Sequence, residues 1–159
     1  MKLISLTQPW AALVAEGHKC FETRGWGTEY RGPLAIHATK GPADPAAMHR
    51  LPRLYPEVFA GLQTLGEHGK IIAVCTLAGC DRMEHRLDLV PGSRIDADTL
   101  REPQAGVTPQ EVDFGDWRVW RYALALQQVR RTVPYAVYRG SQGRPIPLDP
   151  LVEAALVYL

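Results

Sequence analysis

The sequence predicts an α+β fold, a small β-barrel with helices packed around it, formed by a single domain over residues 1–159. A length of 159 residues suits one domain with one sizeable core. Several short segments rich in β-favouring residues are separated by turn signals, which is typical of a small barrel. Fewer segments show helical spacing, and neither an internal repeat nor a long low-complexity linker divides the chain.

Residues 1–40 alternate between strand and helix signals. Pro9 suits the first turn of a helix and Gly17 ends it, because the apolar residues between them recur at helical spacing. Three strands with apolar or alternating patterns are predicted beside this helix, at residues 3–6, 19–24 and 34–38.

The rest of the chain adds two clear strands, residues 70–77 and 120–129. Pro134 is expected to open a separate segment. Residues 81–116 are expected to be mostly loop with a short helix, and residues 140–147 are expected to be loop. The remaining helices are predicted from an apolar stripe within residues 41–69 (Leu54, Val58, Leu62 and Leu65) and from an amphipathic tail over 150–159.

The composition excludes several classes of protein. Hydrophobic residues make up 46% and charged residues 22%, which is ordinary for a globular protein and argues against disorder. No apolar run approaches the ~20 residues of a membrane span, and the opening residues lack the pattern of a signal peptide. The three cysteines include no Cys-x-x-Cys pair, so we expect no disulfide framework and a location in the reducing cytoplasm.

Charge is unevenly distributed, although the formal net charge is only +1. Residues 117–145 hold six arginines and no acid, whereas residues 81–116 hold four arginines and nine acids. The basic segment suits a polyanion on one side of the protein, or it is a solvated face. The acidic segment suits, as a lesser option, a scaffold for protein interactions.

The densest group of chemically useful residues follows the first helix. Lys19, Glu22 and Arg24 lie within six residues, and in a strand Glu22 and Arg24 share a face while Lys19 starts on the other. Arg24 can hold Glu22 as an ion pair, and Lys19 can donate to a phosphate or a carbonyl. The alternative is a surface strand with alternating charges.

Other candidates flank this group. Trp10 and Trp26 lie on either side of it, and either indole can be a platform for a base or part of the core. His37, Thr39 and Lys40 end a predicted strand, where polar side chains often line a site, although a single histidine there is also commonly structural.

Metal and cofactor signals are weak or missing. We predict no metal site, since the loose group Asp81, Glu84 and His85 lacks a zinc-ligand spacing. No phosphate-binding loop or nucleophile elbow is present, so no cofactor is expected. Cys20 with His18 is a weak nucleophile candidate.

The chain resembles the ASCH domain family (activating-signal-cointegrator homology). Residues 5–24, SLTQPWAALVAEGHKCFETR, are similar to the opening of that domain and contain its Gly-x-Lys-x-x-Glu-x-Arg signature. Residues 36–40, 71–77 and 114–117 support the likeness, and residues 41–69 and 85–112 are least determined. The resemblance implies a barrel like that of the PUA domain, with a cleft lined by Lys19, Glu22 and Arg24.

The resemblance also implies RNA binding, and some members of the family are amidohydrolases of acetylated cytidine or are credited with ribonuclease activity. The amidohydrolase pattern has threonine three positions after its lysine, whereas this chain has Glu22 there and Thr23 beside it.

Two hypotheses therefore stay open. One is a module that binds single-stranded nucleic acid, most readily RNA, through the residues Trp10, Lys19, Glu22, Arg24, Trp26, His37, Thr39 and Lys40. The other is a small hydrolase with Lys19 and Glu22 as acid and base partners.

Overall fold

The computed structural model describes residues 1–83, 107–135, 140 and 142–159. Within these residues the chain forms six strands and five helices, which confirms the α+β class. In chain order they are β1 (Lys2–Leu6), α1 (Trp10–Ala15), β2 (Phe21–Arg24), β3 (Gly32–Ala38), α2 (Pro45–Leu54), α3 (Pro56–Gly61), β4 (Lys70–Arg82), α4 (Pro109–Asp113), β5 (Tyr122–Tyr135), β6 (Ile146–Pro147) and α5 (Pro150–Ala154).

All six strands belong to one mixed sheet in the order β2-β5-β4-β3-β1-β6. β1 runs parallel to β3, and the other neighbouring pairs are antiparallel. Register shifts interrupt β4 and β5 at three places, and such bulges bend and twist long strands. In the part of the chain that the structure describes, no ladder joins β2 to β6, so the closed barrel stays a prediction.

Helix α1 packs against strands β1, β3, β4 and β5 of this sheet. Its residues Ala11–Ala15 are all buried, which their small or apolar side chains permit. Buried Gln8 fixes the start of the helix: its amide oxygen accepts from the Ala12 N–H, and its amide nitrogen donates to the carbonyls of Thr64 and Glu67. The first core cluster, which includes Val14, Ile36 and Leu124, lies between this helix and the sheet.

Gly17 ends α1 with a φ of +77°, a conformation that glycine adopts without steric cost. The next two backbone N–H groups, of His18 and Lys19, both donate to the Leu13 carbonyl. This tight turn directs the chain from the buried helix straight into β2. It therefore fixes the start of the segment that carries Lys19, Glu22 and Arg24.

Most of the predicted elements are confirmed, with three differences. The prediction of a separate segment at Pro134 is wrong, because β5 continues through this residue to Tyr135. The predicted loop at 140–147 contains the short edge strand β6. The predicted stripe within 41–69 does not form one helix, because α2 ends at Leu54 and Pro56 opens the short α3. Val58 lies in α3, whereas Leu62 and Leu65 follow its end. Most of the segment 81–116 lies outside the described residues.

None of the described helices has the length and apolar character needed to cross a membrane.

Candidate functional site

A cleft of about 390 Å³ opens where the end of β1, the start of α1 and strand β2 meet. The loop before α2 forms its opposite wall. Its lining comes from residues far apart in sequence: Ser5, Leu6, Thr7, Trp10, Glu22, Arg24, Pro42, Ala43, Asp44, Pro45 and Gln142. The volume lies in the range of small-molecule sites in proteins. The structure thus brings three of the predicted site residues, Trp10, Glu22 and Arg24, to one cavity.

The Glu22–Arg24 ion pair forms one wall of this cleft. Alternation along β2 puts both side chains on the same face, and Arg24 Nε lies 2.8 Å from Glu22 Oε1. The predicted pairing is confirmed. Both side chains are largely buried, so this pair is screened less by water than a surface pair is.

Arg24 also connects strand β2, at one end of the sheet order, to the region of β1 and β6 at the other side. Its Nη2 donates to the Ser5 carbonyl in β1 at 2.9 Å, and its Nη1 donates to the Gln142 carbonyl, just before β6, at 3.0 Å. Arg24 itself belongs to β2, the strand at the opposite end of the order. A single guanidinium therefore links β2 to β1 and to the segment before β6.

Lys19 lies beneath the cleft rather than in its lining. Its side chain is 1% exposed, and its ammonium donates to the carbonyls of Phe21 and Phe114. Nζ is 3.8 Å from Glu22 Oε2 and 3.9 Å from Glu111 Oε1. Burial lowers the pKa of Lys19 below its ordinary value, and the two carboxylates oppose this shift. Lys19 is thus placed to hold β2 against the end of α4 and to fix the charge beside Glu22.

Glu111 is a residue of this region that the sequence reasoning missed. It is buried in α4, and its two carboxylate oxygens accept from the backbone N–H groups of Cys20 and Phe21. Thr108 caps α4 by accepting from the Glu111 N–H. The pattern Thr-Pro-x-Glu is a helix-start signal that can predict α4. It carries no information on the contact with β2.

The two tryptophans near the signature have different positions. Trp10 lines the cleft, and Lys19 Nζ lies 5.8 Å from its ring centroid. Trp26 is half-buried, packs against the main core cluster, and has the Arg24 guanidinium carbon 5.8 Å from its ring centroid. Trp10 is therefore the indole that a ligand in the cleft would meet, and Trp26 supports Arg24 from outside it.

His37, Thr39 and Lys40 do not line the cleft. His37 is buried, and its Nδ1 is 3.0 Å from the hydroxyl of Ser5, which is itself a lining residue. The Thr39 N–H donates to the Leu6 carbonyl. Lys40 is exposed, and its side chain passes over Gly69, where a Cβ would lie 2.7 Å from Lys40 Cγ. These residues support the far end of β1 and the neighbouring surface.

A second cleft of about 410 Å³ adjoins the first and shares Trp10, Glu22 and Asp44 with it. Its two arginines are paired: Arg50 lies 2.8 Å from Asp113, and Arg121 lies 3.3 Å from Asp116. The remaining lining residues are Thr23, Ala46, Ala47, Phe114 and Gly115. Two arginines and four carboxylates (Glu22, Asp44, Asp113 and Asp116) line this cleft, so carboxylates predominate in its lining.

The arginines of the basic segment lie at separate places. Arg118 and Arg121 both pair with Asp116. Arg130 covers the ring of Tyr158, whereas Arg131, the next residue, donates to Gln63 on the other side of the strand. Arg139 lies outside the described residues.

Metal ligation finds no support in the part of the chain that the structure describes, where no group of three or more His, Cys, Asp or Glu residues is placed to hold an ion. Of the weak candidates, Glu84 and His85 lie outside the described residues. Burial and the nearby Glu111 carboxylate raise the pKa of the Cys20 thiol, which disfavours the thiolate that a nucleophile needs.

A family model described as the ASCH domain matches residues 4–115 of this chain. The matched range begins in β1 and ends just after α4. It contains the cleft residues Trp10, Glu22 and Arg24. It also contains Glu111 and Phe114, which lie close to the Lys19 ammonium. No curated protein matches the chain.

Proposed function

The chain belongs to the ASCH domain family, which is generally associated with RNA binding, and we propose that it binds single-stranded RNA or a nucleotide in the first cleft. The observation that carries this proposal is the meeting of an indole, a guanidinium and a carboxylate in one cavity of about 390 Å³. These three groups offer stacking, phosphate or base-edge donation, and acceptance from a base amino group.

Each lining residue receives a role in this proposal. Trp10 stacks on a base at the cleft mouth, since every base has a flat face and stacking tolerates any sequence. Glu22 accepts from a base edge, and Arg24 donates to a phosphate or a base oxygen. Lys19 and Glu111 act as positioning residues, because they make three hydrogen bonds to the backbone at the start of β2. A fourth joins Lys19 to the Phe114 carbonyl at the end of α4.

The charge of the cleft decides which contacts dominate. The lining holds two carboxylates, Glu22 and Asp44, against one cation, Arg24, so base contacts contribute more than phosphate contacts. If Arg24 and exposed Lys40 each neutralise one phosphate, the logarithm of the association constant falls with the logarithm of salt concentration with a slope of roughly −1.4. A much steeper slope would place the nucleic acid on other cations of the protein.

The test is binding of a labelled single-stranded RNA, measured by fluorescence anisotropy. Trp10→Ala is expected to weaken binding at least about five-fold, the lower end of the effect of losing one base–aromatic stack. Arg24→Lys keeps the charge and loses the paired donor geometry, so it also weakens binding. Leu151→Ala removes an exposed apolar side chain of α5 and is the control. Unchanged affinity in Trp10→Ala would exclude the first cleft as the binding site.

A hydrolase is the second candidate, and one observation favours it. Lys19 Nζ lies 3.8 Å from Glu22 Oε2, and Glu22 lines the cleft. In this proposal Glu22 is the base that meets substrate, and Lys19 lies behind its carboxylate without touching substrate. Glu22→Gln would then abolish turnover of RNA or of an acylated nucleoside while RNA affinity changes little. Absence of product from a panel of both substrate classes would exclude this candidate.

We also propose a single domain, a barrel-like closure of the sheet and a cytoplasmic location. A single domain over 1–159 is supported by β5, β6 and α5, which lie beyond residue 115 and complete the sheet and core of the matched region. A barrel-like closure is supported by Arg24, whose hydrogen bonds connect β2 to β1. A cytoplasmic location is supported by the three cysteines, which are all free thiols.

A further inference from the structure

Trp120 is a second indole with the features of a binding platform. Its side chain is 63% exposed, whereas that of Trp117, three residues earlier, is 5% exposed. Trp117 has the usual environment of a tryptophan, with its ring edge-on to Phe21 and its indole N–H donating to the Glu111 carbonyl. Burial of Trp120 would stabilise the protein, so its exposure calls for a reason.

The backbone holds Trp120 outward at a cost. Its φ is +70°, in the left-handed region, which is unfavourable for a bulky side chain. Two hydrogen bonds to the end of β4 keep it there: Trp120 N–H donates to the Met83 carbonyl at 2.9 Å, and Met83 N–H donates to the Arg121 carbonyl at 2.8 Å. Strain of this kind persists where the surrounding structure enforces it and concentrates at functional positions.

A cation contacts this ring. The guanidinium carbon of Arg82 lies 4.5 Å from the ring centroid of Trp120, a cation–π distance. Arg118, two residues before Trp120, is exposed and pairs with Asp116. Since Arg82 covers part of one ring face and most of the side chain remains exposed, the rest of the indole is available to a flat partner. A stacked guanidinium also favours a partner that carries negative charge beside its flat ring.

Trp120 is adjacent in the chain to a residue that lines the second cleft. Arg121, adjacent to Trp120 in the chain, lines the second cleft, and this cleft shares Trp10, Glu22 and Asp44 with the first. Arg121 therefore links Trp120 in the chain to the two clefts that meet at Trp10. A chain of bases linked by phosphates matches an indole at each end and arginine between them.

We propose that Trp120 and Arg82 form a second base-stacking station, which takes a further nucleotide of the single-stranded RNA whose first base lies in the cleft at Trp10. This inference rests on the proposed function. It predicts that the length of the RNA decides whether Trp120 contributes to affinity.

The experiment compares an adenylate dinucleotide with an oligoadenylate octamer, both titrated by calorimetry. Trp120→Gly removes the ring and suits the positive φ, so the fold is retained, and melting followed by circular dichroism verifies this. We expect Trp120→Gly to bind the octamer at least about five-fold more weakly and the dinucleotide equally well. Trp120→Phe keeps an aromatic face and should restore most of the octamer affinity. Trp10→Ala should weaken both ligands.

The outcomes separate the two proposals. If Trp120→Gly binds the octamer as the unaltered protein does while Trp10→Ala weakens both ligands, the station is wrong and the cleft stands. An equal loss for dinucleotide and octamer in Trp120→Gly also overturns the station, because it shows that the cleft itself was disturbed. If neither variant changes RNA affinity, both proposals are wrong. The exposed ring of Trp120 would then be expected to contact a protein partner.

Discussion

Replacing Lys19 with methionine removes a buried charge while keeping the length of the side chain. The carbonyls of Phe21 and Phe114 lose their ammonium donor, and each unsatisfied buried acceptor costs about 1–3 kcal/mol. Glu22 and Glu111 also lose the cation that lies within 4 Å of both. Breaking a buried pair by removing one partner typically costs about 3–5 kcal/mol, which agrees with the sum over the two carbonyls.

For a protein of this size each kcal/mol lowers the melting temperature by roughly 2–4 °C, so Lys19→Met should melt about 6–20 °C lower. Calorimetry or circular dichroism measures the difference. Lys70→Met is the matched control, because Lys70 pairs with Glu67 at the same sequence separation but with side chains 38% and 28% exposed. Such a pair contributes at most about 1 kcal/mol. A Lys19→Met protein that melts with the Lys70→Met control would refute the role assigned to Lys19.

The pH dependence of Lys19→Met gives an independent check. Burial lowers the pKa of Lys19 in the folded protein below the ordinary 10.5, so between these two values the unfolded chain binds more protons than the folded protein. The free energy of unfolding must then rise with pH across this window. Lys19→Met lacks this contribution, and the stability difference between the two proteins should widen as pH increases toward 10.5.

Three further outcomes are expected. Burial and the hydrogen bond to Asp113 raise the pKa of Tyr55 from 10.0 to about 12, so the folded protein binds more protons in this interval and stability falls as pH rises through it. Tyr55→Phe should flatten that fall in urea titrations, and an unaltered slope would show that another group titrates. Gly140→Ala adds a Cβ that overlaps the Ser5 hydroxyl, so we expect the free energy of unfolding to fall by about 1–3 kcal/mol in chemical denaturation. Stability equal to that of the unaltered protein would show that the Ser5 side chain moves aside without cost. Burial raises the pKa of the Cys75 thiol to about 12, so a thiol reagent should label Cys75 only after unfolding, and rapid labelling of the folded protein would contradict this burial.

Local signals in the sequence predicted the part of the site that local structure builds. Pro9 and Gly17 determine where α1 begins and ends, and the alternation along β2 puts Glu22 and Arg24 on one face. Both effects act within a few residues, so the sequence alone is enough to predict them. The same holds for most of the strands.

Contacts between distant segments account for what the sequence reasoning did not predict. Lys19 is buried because its ammonium meets the Phe114 carbonyl, 95 residues later in the chain. Asp44 reaches the cleft because α2 starts beside α1, and Glu111 reaches β2 through the placement of α4. No periodicity in the sequence encodes these approaches, since each depends on how separate elements pack.

The hydrogen bonds of Arg24 make the cleft sensitive to the integrity of the whole sheet. The guanidinium that faces a ligand also joins β2 to β1 and to the segment before β6, so displacing it for binding would break both connections together. A ligand that leaves these hydrogen bonds intact instead stabilises the form of the protein in which the strands are joined. By thermodynamic linkage, it binds this joined form more tightly than a form in which the strands have separated. The affinity for a ligand in this cleft therefore depends on how often β2 and β1 separate at this point.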